Sequence, residues 1–267
     1  MKNLKIAAVQ TAPVFGDLRA NVETALDLIP GGMDLVVLPE LFSTGYQFRD
    51  RDELARYAED LGGDPDPGSA LARLTETAAG TGAVLIAGLA ERDGDKFFNS
   101  AVLVRPDGSR ESYRKVHLFM DEKSLFEPGD LGFPVFEACG TTVGMMICFD
   151  WIFPEAARSL ALAGAEILCH PSNLLLPWCQ AAMVTRCQEN MVHAVTANRV
   201  GTENRTGQEL VFSGRSQVVS PMGQRLAGLD PIETGAAVAE IKIMERDKQF
   251  TPRNHLFDDR RPEAYRS

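Results

Sequence analysis

Apolar positions come in short runs separated by polar, Gly- and Pro-rich breaks, and their period changes along the chain. Residues 4–10 read as a first strand, 19–29 as an amphipathic helix beginning near Asp17, and Leu35-Val36-Val37-Leu38 as a buried strand stopped by Pro39-Glu40. Helical spacing follows over 52–61 and 69–79, the second entered at Ser69 as an N-cap. Residues 83–90 are strand-like, and 97–104 and 111–116 are two strands joined by a turn with a Pro106-Asp107-Gly108 core. The run from Thr142 to Ile147 predicts a buried strand, and Pro154 to Ala163 a helix with Gly164 at its C′ stop. Beyond it the pattern predicts a strand near 166–170, a helix over 178–193 and a strand over 194–198. A loop over 201–209 and strands over 210–220 and 236–243 follow, before an extended charged tail. Strands interleaved with helices make a layered α/β domain, and the hairpins make its sheet mixed rather than purely parallel.

With 267 residues and 45% hydrophobic content, the chain can bury a large core, and no linker, low-complexity tract or internal repeat divides it. The single domain is therefore expected to run over 1–267. The first ten residues hold too short an apolar core for a signal peptide, and no apolar run approaches the ~20 residues of a bilayer span, so a cytoplasmic protein is expected. A net charge of −10 argues against nucleic acid and anionic membranes as partners. Cys139, Cys148, Cys169, Cys179 and Cys187 form an odd set with no Cys-x-x-Cys pair or His cluster, which fits neither a disulfide framework nor a zinc site. No metal or cofactor is expected.

Cys148 sits where a strand gives way to a helix, and in α/β sheets ligands bind outside the carboxyl ends of strands. The competing reading is a buried structural cysteine, a common fate of free thiols. Glu40 ends one apolar strand and Lys115 occupies the matching position on a later one; each is a solvated charge unless its strand neighbours that of Cys148. Together a thiol, a carboxylate and an ammonium form a usable acyl-transfer set. His117, two residues from Lys115 along a strand and so on the same face, keeps a Cys–His arrangement open, as does His170.

Leu38-Pro39-Glu40-Leu41-Phe42, Arg114-Lys115-Val116-His117-Leu118-Phe119 and Cys148-Phe149-Asp150-Trp151-Ile152-Phe153-Pro154-Glu155 resemble, in order, the Glu, Lys and Cys motifs of the nitrilase superfamily of carbon–nitrogen hydrolases. The likeness extends to the segment Glu122 to Asp130, to His170-Pro171-Ser172-Asn173 and to Ala197-Asn198-Arg199-Val200-Gly201. It implies a four-layer α-β-β-α sandwich of two mixed sheets. It also implies Cys148 as nucleophile, Glu40 as general base, and Lys115 with the Phe149 N–H as oxyanion stabilisers. Glu122 resembles a second Glu that positions substrate, against the default of a solvated loop carboxylate. His117 and His170 have no base role in such enzymes and are left to structural hydrogen bonds.

Moving a proton from a free Cys to a free Glu is uphill by about 4.2 pKa units, roughly 5.7 kcal/mol. Burial of Glu40 and a cation beside the thiol are each expected to narrow that gap. Nitrile-hydrolysing relatives typically carry Glu two residues after the Cys and run longer, and carbamoyl amino acid hydrolases carry arginines three and four residues after it. Here the positions hold Asp150, Trp151 and Ile152, so the resemblance implies a small amide with a neutral or cationic acyl group, with an N-carbamoyl amine hydrolase, a nitrilase or a catalytically idle small-molecule-binding module as the alternatives. Phe42, Tyr46, Trp151 and Asn173 are candidate pocket residues. Arg186, Glu189 and Asn190 share a helical face that is either a local ion pair or, as in relatives, a subunit contact, and the tail from about 245 to 267 is expected to pack across a partner in a homodimer.

Overall fold

In the computed structural model, which describes residues 2–243 and 248–265, the alternating strands resolve into two six-stranded mixed sheets. The first has the order β14-β1-β2-β3-β4-β5, with β1 Lys2–Gln10, β2 Leu35–Val37, β3 Val84–Asp93, β4 Lys96–Val104, β5 Arg110–Arg114 and β14 Gly235–Ile243. The second has the order β13-β12-β9-β8-β7-β6, with β6 Val135–Ala138, β7 Thr141–Met145, β8 Ile167–Pro171, β9 His193–Ala197, β12 Gln217–Val219 and β13 Arg225–Gly228. Each has a parallel centre, β1-β2-β3 and β7-β8-β9, flanked by antiparallel neighbours. Two small ribbons, β10 Thr202–Glu203 with β11 Leu210–Val211 and β15 Gln249–Thr251 with β16 Asn254–His255, complete the strands.

The period of two decides the layers. Leu4, Ile6 and Ala8 point from β1 into the core between the sheets, whereas Ala7 and Val9 point outward, where Val22 and Ala25 of α1 (Leu18–Asp27) and Leu71 and Leu74 of α3 (Ala70–Thr81) cover them. The second sheet is covered in turn by Leu160 of α5 (Pro154–Leu162) and Met183 of α6 (Cys179–Asn190), which makes the expected four-layer α-β-β-α sandwich.

Several boundaries differ from the sequence pattern for local reasons. The helix expected over 52–61 stops as α2 at Arg51–Ala55, because the chain beyond is drawn onto β3: Glu59 N–H donates to Ala90 O at 2.9 Å and Arg92 N–H to Glu59 O at 2.8 Å. The helix expected to 193 ends at Asn190, where Met191 turns left-handed at φ 50°. The strand expected over 210–220 is broken by Gly214 and Arg215, both at positive φ, and β6, β13 and the β15–β16 hairpin were not expected. The residues flanking that hairpin lie against their own chain: the Arg158 guanidinium sits 5.3 Å from the Phe257 ring centre and Lys248 donates to Met191 O at 2.9 Å. Residues 245–247 and 266–267 of the tail lie outside the described residues. No helix among the described residues is long and apolar enough to cross a membrane.

Candidate active site

Glu40, Lys115 and Glu122 converge from two connections, Glu40 from the one after β2 and Lys115 and Glu122 from the one after β5. Glu40 follows β2 on a turn where Leu41 adopts φ 48°, and the turn can fold over β3 only because residue 88 is glycine: a Cβ there would stand 2.4 Å from Glu40 Cα. Lys115 lies one residue past the end of β5, not within a strand as expected, and its N–H donates to Asn99 O of β4 at 2.8 Å. Glu122 opens the four-residue helix α4 (Glu122–Leu125). The Lys115 ammonium bridges the two carboxylates, at 2.7 Å from Glu40 Oε1 and 2.7 Å from Glu122 Oε1. All three are almost fully buried, at 0, 1 and 3% exposure, so the reading of Glu122 as a solvated loop residue does not hold.

Glu122 is held further by the Tyr46 hydroxyl, which donates to Oε1 at 2.8 Å, and by Phe119 N–H, which donates to Oε2 at 2.9 Å. The oxygens of Glu40 are used unequally: Oε1 accepts from both Lys115 and Asn99 Nδ2, at 2.7 Å each, and Oε2 is buried without a hydrogen-bond partner.

Cys148 enters from the second sheet. It begins a short 3-10 turn, Cys148–Ile152, between β7 and α5, and adopts φ 41°, a region costly for a residue with a Cβ. Two buried side chains hold that conformation. Asp150 accepts from Ile147 N–H at 2.8 Å, the Tyr113 hydroxyl at 2.7 Å and His117 Nδ1 at 2.7 Å, while His170 Nε2 donates to Cys148 O at 2.9 Å. Both histidines thus brace the turn, His117 through Asp150 and His170 through the Cys148 carbonyl, and the hydrogen bond of the thiol goes to neither imidazole. The Cys148 thiol donates to Asn173 O at 3.6 Å, and Asn173 Nδ2 donates to Glu40 O at 2.9 Å, so Asn173 ties the two sheets together at the site. The Phe149 amide follows Cys148 in the first turn of the 3-10 segment, where N–H groups lack intrahelical partners.

Of the pocket candidates, Phe42 is buried between the first sheet and its helices, and Trp151 packs in the same core cluster as Cys148, its carbonyl accepting from Arg186 Nε at 3.2 Å. Arg186 also pairs with Glu189 at 3.0 Å, so the α6 face both closes a local ion pair and supports the end of the Cys148 turn.

Burial raises the Cys148 thiol well above the usual cysteine range, Glu40 and Glu122 raise it further, and Lys115 lowers it too little to compensate. The cation does depress the thiol, as expected, but burial and the two carboxylates outweigh it, so before substrate binds the sulfur holds its proton. Burial by itself would lower the Lys115 ammonium, but Glu122 and Glu40 outweigh it and the group is held cationic. Glu122 is raised, first by burial. Burial lowers His170 to about 4, so it is neutral at pH 7.

Sequence reasoning missed two contributors. Asn99 was visible as an amide inside the otherwise apolar run from Phe97 to Val104. Glu203, buried and paired with Arg199, accepts from Tyr46 N–H at 3.0 Å and Gln47 N–H at 2.7 Å, and so fixes the loop that carries Tyr46. Nothing local in the sequence marks that role.

The Carbon-nitrogen hydrolase family profile matches residues 5–247. A "Nitrilase" of Pyrococcus abyssi is 45% identical over 98% of this chain and 99% of its own, and an "(R)-stereoselective amidase" of a Pseudomonas species is 37% identical over 92% and 90%. Among solved structures, a double mutant of the amidase from Nesterenkonia sp. AN1 in complex with acrylamide superposes with a TM-score of 0.78 at 27% identity, covering 98% of this chain and 95% of that one.

Proposed function

The chain belongs to the carbon–nitrogen hydrolase family, and from that premise we propose that it hydrolyses small amides to a carboxylic acid and ammonia through a thioester on Cys148. The observation that carries this reading is the division of labour at Glu40. One oxygen is engaged by Lys115 and Asn99, the other is buried and unpartnered, and the carboxylate as a whole is near enough to the thiol for its charge to be felt there.

In the first half-reaction Glu40 Oε2 takes the thiol proton as sulfur bonds to the amide carbon, and the carbonyl π pair moves onto oxygen. Lys115 Nζ and the Phe149 N–H stabilise that oxyanion. The tetrahedral adduct collapses, the C–N bond breaks, and Glu40 returns its proton to the leaving nitrogen. In the second half-reaction Glu40 takes a proton from water, hydroxide adds to the thioester, and the thiolate leaves and is reprotonated. Because the thiol is raised by burial, no standing thiolate exists; deprotonation is coupled to attack. Glu122, anchored by Tyr46 and Phe119, orients the Lys115 ammonium and the incoming amide.

A small neutral acyl group suits the tightly closed surroundings of Cys148, and the acrylamide complex of the Nesterenkonia amidase supports an amide over a carbamoyl substrate. The name of the Pyrococcus abyssi relative favours nitriles as the second reading. The five unpaired cysteines suit a reducing cytoplasm. We further propose a homodimer formed over the α5–α6 face and tail, where an open hollow of about 790 Å³ is flanked by the exposed Phe250 and Tyr265.

The test is ammonia release from propionamide, N-carbamoylputrescine and propionitrile by wild type and Cys148→Ala. Propionamide is expected to be turned over by wild type only. Preferential turnover of the nitrile would overturn the substrate assignment, and unchanged turnover by Cys148→Ala would overturn the mechanism.

A further inference from the structure

We propose that Asn99 is a positioning residue for the hydrolysis: it engages one oxygen of Glu40 so that Oε2, the buried oxygen without a partner, is the one that carries the proton. This rests on Glu40 being the general base.

Asn99 lies in β4 on the same face as Ala101 and Leu103, which pack into the core between the sheets. An amide at a core position needs a reason, since a leucine of nearly the same shape would fill the space without burying polar atoms. Here the amide is fully buried; Nδ2 donates to Glu40 Oε1 at 2.7 Å, and Oδ1 is buried without a partner. The orientation follows from chemistry, because a carboxylate only accepts and the nitrogen must face it. A purely structural amide would satisfy both ends. This one satisfies only the end that touches the base.

The backbone of Asn99 acts on the second reacting group. Its carbonyl accepts from Lys115 N–H at 2.8 Å just where Lys115 leaves the sheet. One rigid strand residue therefore fixes the carboxylate through its side chain and the backbone from which Lys115 reaches it through its main chain. Lys115 Nζ alone could not hold the carboxylate plane, because an ammonium on a flexible stem is a point charge with rotatable donors. A second donor on the same oxygen sets the rotation about the last bond of Glu40, which decides whether Oε2 faces the thiol or turns away. The same restraint keeps Oε2 aimed during the second half-reaction, when it must take a proton from water.

The experiment compares wild type, Asn99→Leu, Asn99→Ser and Glu40→Gln with propionamide, expressing kcat per reactive Cys148 counted by iodoacetamide labelling and peptide mass, alongside thermal melting. Loss of one charge-assisted donor is expected to lower kcat about 10- to 100-fold in Asn99→Leu, with KM changed less than about three-fold. Asn99→Ser, which keeps a shorter donor, should recover part of that loss. A packing role would lower the melting temperature and the number of reactive sites but leave kcat per site unchanged. Asn99→Leu within about three-fold of wild type per site, with Glu40→Gln inactive, overturns this inference alone. Full activity in Glu40→Gln overturns the mechanism beneath it. Should Asn99→Leu fail to fold, Asn99→Ser decides: full kcat per site there refutes the proposal, and a several-fold loss at unchanged KM supports it.

Discussion

Gly88→Ala is a severe test of how the site is built, because it adds a single methyl group and touches no reacting atom. The new Cβ would stand 2.4 Å from Glu40 Cα, 2.9 Å from Leu41 N and 3.0 Å from Pro39 O, all backbone atoms that cannot rotate away. Ordinary contact begins near 3.4 Å, so Glu40 must retreat from β3 by about 1.0 Å, the difference between 3.4 and 2.4 Å. Hydrogen bonds between the two chains, Gly88 N–H to Pro39 O at 3.1 Å and Phe42 N–H to Gly88 O at 3.2 Å, resist the movement. Overpacking of this kind costs about 1–3 kcal/mol of stability. A displacement of about 1 Å at a reacting group costs on the order of 100-fold in rate. The assay is kcat/KM for amide hydrolysis with chemical denaturation alongside. Gly80→Ala, inside α3 with nothing within 4 Å of its Cβ, makes the same chemical change and is expected to stabilise by roughly 0.5–1 kcal/mol with unchanged activity. Activity of Gly88→Ala within three-fold of wild type would refute the account of how Glu40 is placed.

Two further outcomes are expected. His170 has its folded pKa lowered from 6.5 to about 4, so the stability it contributes is complete above pH 6.5 and is lost as pH falls from there toward 4, by up to about 3 kcal/mol. Denaturation between pH 7.5 and 4.5 should show a flatter acid slope in His170→Asn, which cannot titrate, and identical slopes would remove His170 from the account. The proposed dimer predicts a solution mass of two chains at micromolar concentration, measured by light scattering, and a mass of one chain would reject it.

Periodicity, punctuation and motif order fixed much of this protein before any fold was known. The apolar run in residues 4–10, the Ser69 cap, the Pro154 start and Gly164 stop are local signals, set by backbone geometry and by which residues are apolar, so they survive in one dimension. The order of the Glu40, Lys115 and Cys148 motifs likewise pointed to the family. Tertiary structure alone decided what those residues do to one another. Lys115 meets Glu40 across 75 residues and Cys148 comes from the other sheet, and such meetings depend on strand order and crossovers that no local pattern encodes. Asn99 and Glu203 escaped notice because a buried polar group is recognisable only by its partners. The net direction of the Cys148 shift was out of reach for the same reason: it is set by burial and the sum of two carboxylates against one ammonium, distances that exist only once the sheets have packed.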